Sequence, residues 1–319
     1  MREPDNTASP DELAEQVRRD LKWAVTSADH WLNEFTVPWH ESGSWFLPWV
    51  QALSYDTLAE ANLFSLQKRR LGHYFEALWL FYLQHHPQWH IRLSNHVVYH
   101  MPPNDKTTEG EIDAVIQHDT SGELVHLELA VKFYLWVPMP NEPHAAEQDD
   151  ATCWVGSSLR DSLARKRAQL HHRQLPLGRH PQVLTALGTA PERHECVMKG
   201  RGFLPWSAEH PQRSGWLSLS AYEQNFAASE AMILPRQHWL AGPDVPQWCS
   251  YDVLQEPLKH RAPVLLWVPT NHEAGTHTVL FVVPDDWLMQ AQDWVRATRT
   301  ALNGKNFHRR SVARQGPSA

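Results

Sequence analysis

The chain has 319 residues, 42% of them hydrophobic and 20% charged, and it carries a formal net charge of −7 at pH 7. This length allows one large domain or two. The acidic balance argues against a surface coated with basic residues for non-specific nucleic-acid binding, although it is compatible with a local basic groove. The three cysteines are isolated and lack metal-ligand spacing, which argues against a disulfide framework and fits a reducing compartment.

No apolar run in the sequence is long enough to span a membrane, and the first residues are polar rather than an apolar signal region. We therefore expect a cytoplasmic protein without a membrane partner.

Residues 1–64 are predicted to form an N-terminal helical and irregular segment that packs on the core. Within it, residues 1–9 are predicted to be disordered. The sequence SPDE at residues 9–12 predicts a helix start, with a capping serine, a proline in the first turn and acids at the positive end of the helix dipole. Apolar spacing extends this helix to about residue 26. Residues 27–50, rich in Trp and Pro, predict an ordered irregular segment.

The segment LGHYFEALWLFYL, residues 71–83, has apolar residues at helical spacing and predicts a buried helix. Glu76 falls inside its apolar arc. A buried carboxylate is costly unless it is paired or bound to a cation, so Glu76 is a candidate metal ligand. Pairing with an arginine is the alternative.

Three strands are predicted next, over residues 91–100, 110–117 and 124–135. The third alternates strictly between apolar residues and a mixed set, the period-2 signature of a strand with two unlike faces. In the second, Ile112 and Ile116 belong to one apolar face, together with the alanine between them.

A turn-forming sequence, HDTSGE, predicts that the second and third strands form an antiparallel hairpin, with Asp113, Glu128 and Lys132 on one face. Two carboxylates and a lysine suit Mg²⁺ or Mn²⁺, because carboxylate oxygens hold the cation and the lysine orients a bound water. A solvent-exposed hairpin face with one ion pair is the alternative.

Residues 138–150 form a loop rich in Pro and acids, predicted to be mobile. It is interpreted either as a lid or as a tolerated surface insertion. Residues 157–175 then predict the most basic helix of the chain. Its candidate phosphate contacts are Arg160, Arg165, Lys166, Arg167 and Arg173. A solvated helix face is the alternative.

Residues 181–303 predict a C-terminal α+β region. Its strand-like pieces cover residues 196–206, 215–222, 262–269 and 277–284. Pro284 precedes a final helix, and the basic residues 304–319 are predicted to form a disordered tail.

The order of helix, three strands and basic helix resembles the core of the PD-(D/E)xK, or restriction-endonuclease-like, superfamily over residues 65–180. More narrowly, GEIDAVI, HLELAVKFYL and LPRQHWL are similar to a bacterial family catalogued as domain of unknown function number 1853. The resemblance implies an α/β (α+β) fold with a mixed central sheet flanked by helices. That fold would combine a restriction-endonuclease-like core with a C-terminal α+β extension.

Carried over residue by residue, the resemblance makes Asp113 the first acidic ligand, Lys132 the catalytic lysine and Glu76 the helix glutamate. The second acid of the superfamily normally lies two residues before the lysine, where this chain has Ala130. Glu128 lies two residues earlier, about 6.6 Å further along the strand but on the same face. Either Glu128 binds the metal from a shifted position, or the site is catalytically impaired.

The activity implied is Mg²⁺-dependent phosphodiester hydrolysis of nucleic acid, DNA rather than RNA. Asp113, Glu128 and Glu76 would bind the metal, and Lys132 would position the attacking water and stabilise charge on the phosphate. A catalytically inactive module that binds nucleic acid or protein is the alternative, favoured by the acidic net charge and by Ala130. An enzyme of another class using the same carboxylates is the third possibility.

Overall fold

The computed structural model of the chain describes residues 9–28, 43–100, 107–140, 150–211, 213–269 and 277–313, with side chains up to residue 302. Several predicted segments lie outside the described residues. They are residues 1–8, most of the segment 27–50, most of the loop 138–150 with its lid interpretation, and the last six residues of the tail.

Helices and strands alternate irregularly along the chain. The helices are α1 (Pro10–Thr26), α2 (Phe46–Ala52), α3 (Tyr55–Glu60), α4 (Leu63–Gln67), α5 (Leu71–Gln84), α6 (Leu163–Gln169), α7 (Pro181–Leu187), α8 (Leu219–Phe226), α9 (Tyr251–Arg261) and α10 (Trp287–Ala313). The strands are β1 (Trp89–Tyr99), β2 (Thr108–His118), β3 (Leu124–Trp136), β4 (Trp154–Gly156), β5 (Arg193–Pro205), β6 (Gly215–Ser218), β7 (Met232–Ile233), β8 (Val264–Pro269) and β9 (His277–Val283). A π-helical turn, Leu170–Gln174, and a 3₁₀ turn, Leu175–Arg179, follow α6.

The strands form one mixed sheet in the order β1-β2-β3-β5-β6-β9-β8-β7, with β4 paired to β3. The pairs β1–β2 and β2–β3 are antiparallel, β5–β6 and β6–β9 are parallel, and β9–β8 and β8–β7 are antiparallel. A large mixed sheet flanked by helices confirms the predicted α/β class.

The chain divides into two compact units. The first contains Met1–Lys132, Arg167–Arg201 and Leu234–Pro246, and the second contains Phe133–Lys166, Gly202–Ile233 and Gln247–Ala319. Both units are discontinuous in sequence, whereas the division predicted from the sequence is linear.

The predicted start of α1 is confirmed. The Ser9 hydroxyl accepts a hydrogen bond from the Glu12 amide at 3.3 Å, and the Glu12 carboxylate accepts one from the Ser9 amide at 2.7 Å. This reciprocal capping box satisfies two backbone donors that the first turn leaves without helical partners.

The core of the first unit lies on one face of β2 and β3. Ala114, Ile116, Val125, Leu127 and Leu129 form a buried cluster there with apolar residues of α1 to α5. Since each fully buried aliphatic side chain contributes roughly 1.5–3 kcal/mol, this face anchors the helices to the sheet.

The other face of β3 is buried as well, which overturns the alternative of a solvent-exposed hairpin. Every residue from Leu124 to Ala130 is buried, including His126 and Glu128, which alternation places opposite Leu127. The turns that follow α6 cover this face, with Leu177 packed in a cluster with Leu124. The polar residues of β3 therefore need partners inside the protein.

The basic helix is shorter than predicted. Only Leu163–Gln169 of the predicted segment 157–175 is α-helical, and the chain then continues into the π and 3₁₀ turns. Leu159 has a left-handed backbone (φ 55°), so a regular α-helix cannot run through this position from residue 157. The helix begins instead at Leu163, and the preceding Ser162 caps it, its hydroxyl accepting from the Arg165 amide at 3.3 Å.

Two further predictions in the C-terminal region were wrong. The piece 215–222 is a strand only as far as Ser218, whose hydroxyl caps α8 by accepting from the Ala221 amide at 3.3 Å. The final helix α10 continues to Ala313, so residues 304–313 of the predicted disordered tail are helical. Over the residues for which coordinates are described, no helix is long and apolar enough to cross a membrane.

A buried carboxylate that the sequence analysis missed ties distant parts of the first unit together. Asp20 of α1 is fully buried and accepts four hydrogen bonds, from Gln16, Gln67, Tyr74 and the amide of Ala241, at 3.1–3.2 Å. Burial raises the pKa of Asp20 to about 7, against the opposing effect of these four donors.

We predict that Asp20 makes stability depend on pH. The folded-state pKa of Asp20 lies above the unfolded value. The contribution of Asp20 to the free energy of unfolding is therefore complete below about pH 4 and is lost as the pH rises to about 7. The loss is on the order of 4 kcal/mol. Urea unfolding at pH 4.5 and 7.5 should therefore show the wild type losing stability relative to Asp20→Asn.

The exposed Asp56 provides a matched control, since Asp56→Asn should leave the pH dependence unchanged. An equal difference between wild type and Asp20→Asn at both pH values would contradict the prediction.

Candidate functional site

The predicted site centres on β3, where Glu128 is fully buried. Its Oε1 lies 3.0 Å from Nε2 of His126, and its Oε2 accepts a hydrogen bond from Nε2 of Gln174 at 2.5 Å. His126 is two residues away on the same strand face, and Gln174 comes from the π-helical turn. Both carboxylate oxygens are thus held by neighbouring side chains.

His126 continues the polar cluster to β5. Its Nδ1 lies 3.3 Å from Nδ1 of His194. Burial lowers the pKa of His126 to about 4. Burial, together with the nearby His126 and Arg179, lowers the pKa of His194 to about 4. Both imidazoles are therefore uncharged at neutral pH.

Gly178 allows the 3₁₀ turn to close over this histidine pair. A Cβ at Gly178 would lie 2.5 Å from Nδ1 of His194 and 2.6 Å from Nδ1 of His126. Any side chain at this position would push the imidazoles or the turn out of place.

Asp113 marks an irregular point of β2. Its Oδ2 accepts the backbone amide of Leu129 at 2.7 Å, one step beyond the last described β2–β3 pair, Ala114 with Leu127. The predicted common face of Ile112, Ala114 and Ile116 is wrong here: Ile112 belongs to a different buried cluster from the other two. Continued antiparallel register would place Asp113 opposite Glu128.

Lys132 is half-buried near the middle of β3, and alternation puts its side chain on the Glu128 face. Its carbonyl lies against Gly200 of β5, where an added Cβ would come within 1.7 Å of the oxygen. Gly200 also has a φ of 149°, so glycine is needed for this close approach of the backbones.

Glu76 does not lie where the sequence predicted. Its side chain is 29% exposed at the margin of the buried face of α5, and its Oε2 lies 3.4 Å from Nδ1 of His73. Helix α5 packs on the sheet face that carries Leu127 and Leu129, opposite to the face of Glu128.

The described side chains do not fit the predicted metal set. Among them, no three His, Cys, Asp or Glu residues are grouped so that they could hold a metal ion. Mg²⁺ requires near-octahedral oxygen ligands, whereas the oxygens of Glu128 face the nitrogens of His126 and Gln174.

The predicted basic residues fall into both units. Arg160 and Arg165 are exposed in the second unit, where Arg165 lies over the Trp294 ring at 5.8 Å. Lys166 is buried, which removes it from the predicted contact surface. Arg173 is exposed in the first unit, and the remaining predicted contact, at position 167, is half-buried.

Sequence reasoning missed His126, Gln174 and His194. The position of His126, two residues before Glu128 on the same face, was the one available signal. The other two are distant in sequence, so no local pattern connects them to β3.

A family model described as Domain of unknown function (DUF1853) matches residues 19–300. No curated protein matches the chain. No solved structure matches it either.

We predict that Glu128 stabilises the fold. Glu128→Ala would leave the buried donors of His126 and Gln174 without an acceptor, at a cost of roughly 3 kcal/mol. Glu128→Gln keeps one acceptor oxygen and should cost less. Urea unfolding at pH 7 measures both changes.

The control is Glu111→Ala on β2, because Glu111 is exposed and its removal should change stability by less than about 0.5 kcal/mol. Equal stability of the Glu128→Ala and Glu111→Ala variants would show that the Glu128 hydrogen bonds are not structural.

Proposed function

The chain belongs to this family of domains of unknown function, and we propose that it binds nucleic acid through a nuclease-like core whose carboxylates serve the fold rather than catalysis. The observation that carries the proposal is the state of Glu128. It is fully buried, and both of its oxygens are engaged by His126 and Gln174.

The arrangement of Asp113 supports the same conclusion. Its carboxylate takes the place of a backbone acceptor for the Leu129 amide where β2 and β3 leave their described ladder. A carboxylate in this position satisfies a buried donor, which is a structural task. With Ala130 buried at the usual position of the second acid, the usual ligand set of a PD-(D/E)xK nuclease is incomplete in this chain.

The order of elements supports a restriction-endonuclease-like ancestry for this core. Helix α5 precedes three consecutive strands, each antiparallel to the next, and α6 follows after the short strand β4. We propose the superfamily on this order and on the residues quoted for it. A core of this kind that lacks the ligand set would keep the binding surface and lose the chemistry.

The basis for nucleic-acid binding is the set of exposed arginines. The side chains of Arg160 and Arg165 in the second unit and of Arg173 in the first are exposed. The Arg165 guanidinium also donates a hydrogen bond to the Arg160 carbonyl at 3.1 Å. Guanidinium groups donate paired hydrogen bonds to phosphate oxygens. Because the net charge is −7, binding would be confined to such local sites rather than spread over the surface.

Phosphodiester hydrolysis is the second candidate, favoured by one observation. Asp113 and Glu128 are the next residues in the antiparallel register, and Lys132 follows on the Glu128 face. The residues do not form a metal site as arranged, so we derive no catalytic step from them.

We predict salt-dependent DNA binding that weakens in Arg165→Ala. Removing one arginine–phosphate interaction should lower the slope of log affinity against log salt by about 1. Fluorescence anisotropy with a labelled duplex between 50 and 200 mM salt would measure it, using Arg296→Ala as a control because Arg296 is already paired with Asp293 at 2.6 Å. An unchanged slope in Arg165→Ala would show that this arginine does not contact phosphate and is an ordinary solvated surface residue. A labelled RNA of the same sequence tests the preference for DNA.

We predict that the wild type leaves DNA and RNA intact in either Mg²⁺ or Mn²⁺, and that Lys132→Ala binds DNA as the wild type does. Gel analysis of end-labelled substrates provides the measurement. Metal-dependent cleavage by the wild type that disappears in Lys132→Ala would instead establish hydrolysis. In that case the loss should be a hundredfold or more, about 3 kcal/mol of transition-state stabilisation.

A further inference from the structure

The first unit contains a pocket of about 440 Å³ beside the turns that follow α6. This volume is within the range of small-molecule sites. Its polar lining consists of two arginines, three histidines and one acid. They are Arg173, Arg179, His100, His172, His180 and Glu109.

The acid of the pocket is already engaged by imidazoles. Oε2 of Glu109 lies 3.6 Å from Nδ1 of His100 and 3.5 Å from Nε2 of His180. Arg173 and Arg179 are exposed, and within the described part of the chain neither guanidinium is paired with a carboxylate. Two fixed positive charges therefore line the pocket, against the one negative charge of Glu109.

Buried contacts of neighbouring residues fix the backbone that carries these arginines. Gln174, next to Arg173, donates to the buried Glu128, and Leu177 packs in a buried apolar cluster. Gly178, next to Arg179, lies against the histidine pair of the polar cluster. The backbone positions of both arginines are thus set before any ligand arrives, which removes part of the entropic cost of binding.

We propose that this pocket binds a phosphomonoester, either the terminal phosphate of a nucleic acid or the phosphate of a free nucleotide. A terminal phosphate has a higher charge than an internal diester, and its three free oxygens can accept from two guanidinium groups at once. A pocket of limited volume accommodates a chain end, whereas an internal phosphate needs an open path on both sides. The nucleic-acid version rests on the proposed function, and the nucleotide version does not.

The test compares oligodeoxynucleotides of one sequence with a 5′-phosphate, a 3′-phosphate or hydroxyl groups at both ends, by fluorescence anisotropy on the full chain. We expect a terminal phosphate at one of the ends to tighten binding roughly tenfold or more. Arg173→Ala combined with Arg179→Ala should remove that preference. Arg69→Ala is the control, because Arg69 is exposed in the same unit and does not line the pocket.

A variant that is expected to strengthen phosphate binding distinguishes the loss of a contact from the loss of folding. Glu109→Gln removes the one negative charge of the pocket, so it should strengthen the phosphate preference a few-fold while circular dichroism stays unchanged. Equal binding of all three oligonucleotides and no binding of dAMP by the wild type would overturn the proposal. A preference that survives in the double arginine variant would overturn it as well.

Calorimetry with dAMP and with inorganic phosphate separates the two sources. Binding of dAMP, lost in the double variant, with no binding of any oligonucleotide would support a nucleotide pocket while the proposed nucleic-acid function fails. Tight binding of the phosphorylated oligonucleotide with weak binding of dAMP would support a nucleic-acid end. Binding of dAMP that persists unchanged in the double variant would place the site elsewhere and overturn the proposal.

Discussion

The burial of both faces of β3 is the constraint on which the first unit depends. One face is apolar and holds α1 and α5 against the sheet. The other contains His126 and Glu128, which cannot be buried without partners. Gln174 and His194 supply those partners, and their contacts determine where the turns after α6 lie. The same turns present the arginines of the pocket, so the buried polar cluster and the exposed cationic pocket are two sides of one segment.

The carboxylates show how one residue pattern can serve two purposes. Alternation along a strand puts Glu128 and Lys132 on one face, as a nuclease site requires. The same alternation puts Glu128 into the interior, where its oxygens stabilise the fold by accepting from nitrogen donors. Asp113 accepts a backbone amide in a similar way. The proposed loss of chemistry follows from this use of the acids, and the proposed binding depends on arginines that remain at the surface.

Two kinds of buried titratable group in the first unit respond to pH with opposite sign. Asp20 has a pKa raised to about 7 and destabilises the fold as it ionises. His126 and His194 have folded-state pKa values lowered to about 4, so the unfolded state takes up their protons first and stability falls as the pH drops from about 6.5 to about 4. The two effects act over the same range and partly cancel. Single variants are therefore needed to observe either one.

The amino-acid sequence by itself determined the local features of this protein: the capped start of α1, the apolar period of α5, the alternation of β3 and the mixed α/β class. Periods of 3.6 and 2 residues specify which face a side chain takes, because they follow from backbone geometry. They do not specify which remote segment covers that face. Only the tertiary structure decided that Gln174 would meet Glu128, 46 residues earlier, and that the Ala241 amide would meet Asp20, 221 residues earlier. The tertiary structure also put Glu76 on the opposite side of the sheet from Glu128. The sequence could not predict this, because a helix pattern contains no information about the strand face on which the helix packs.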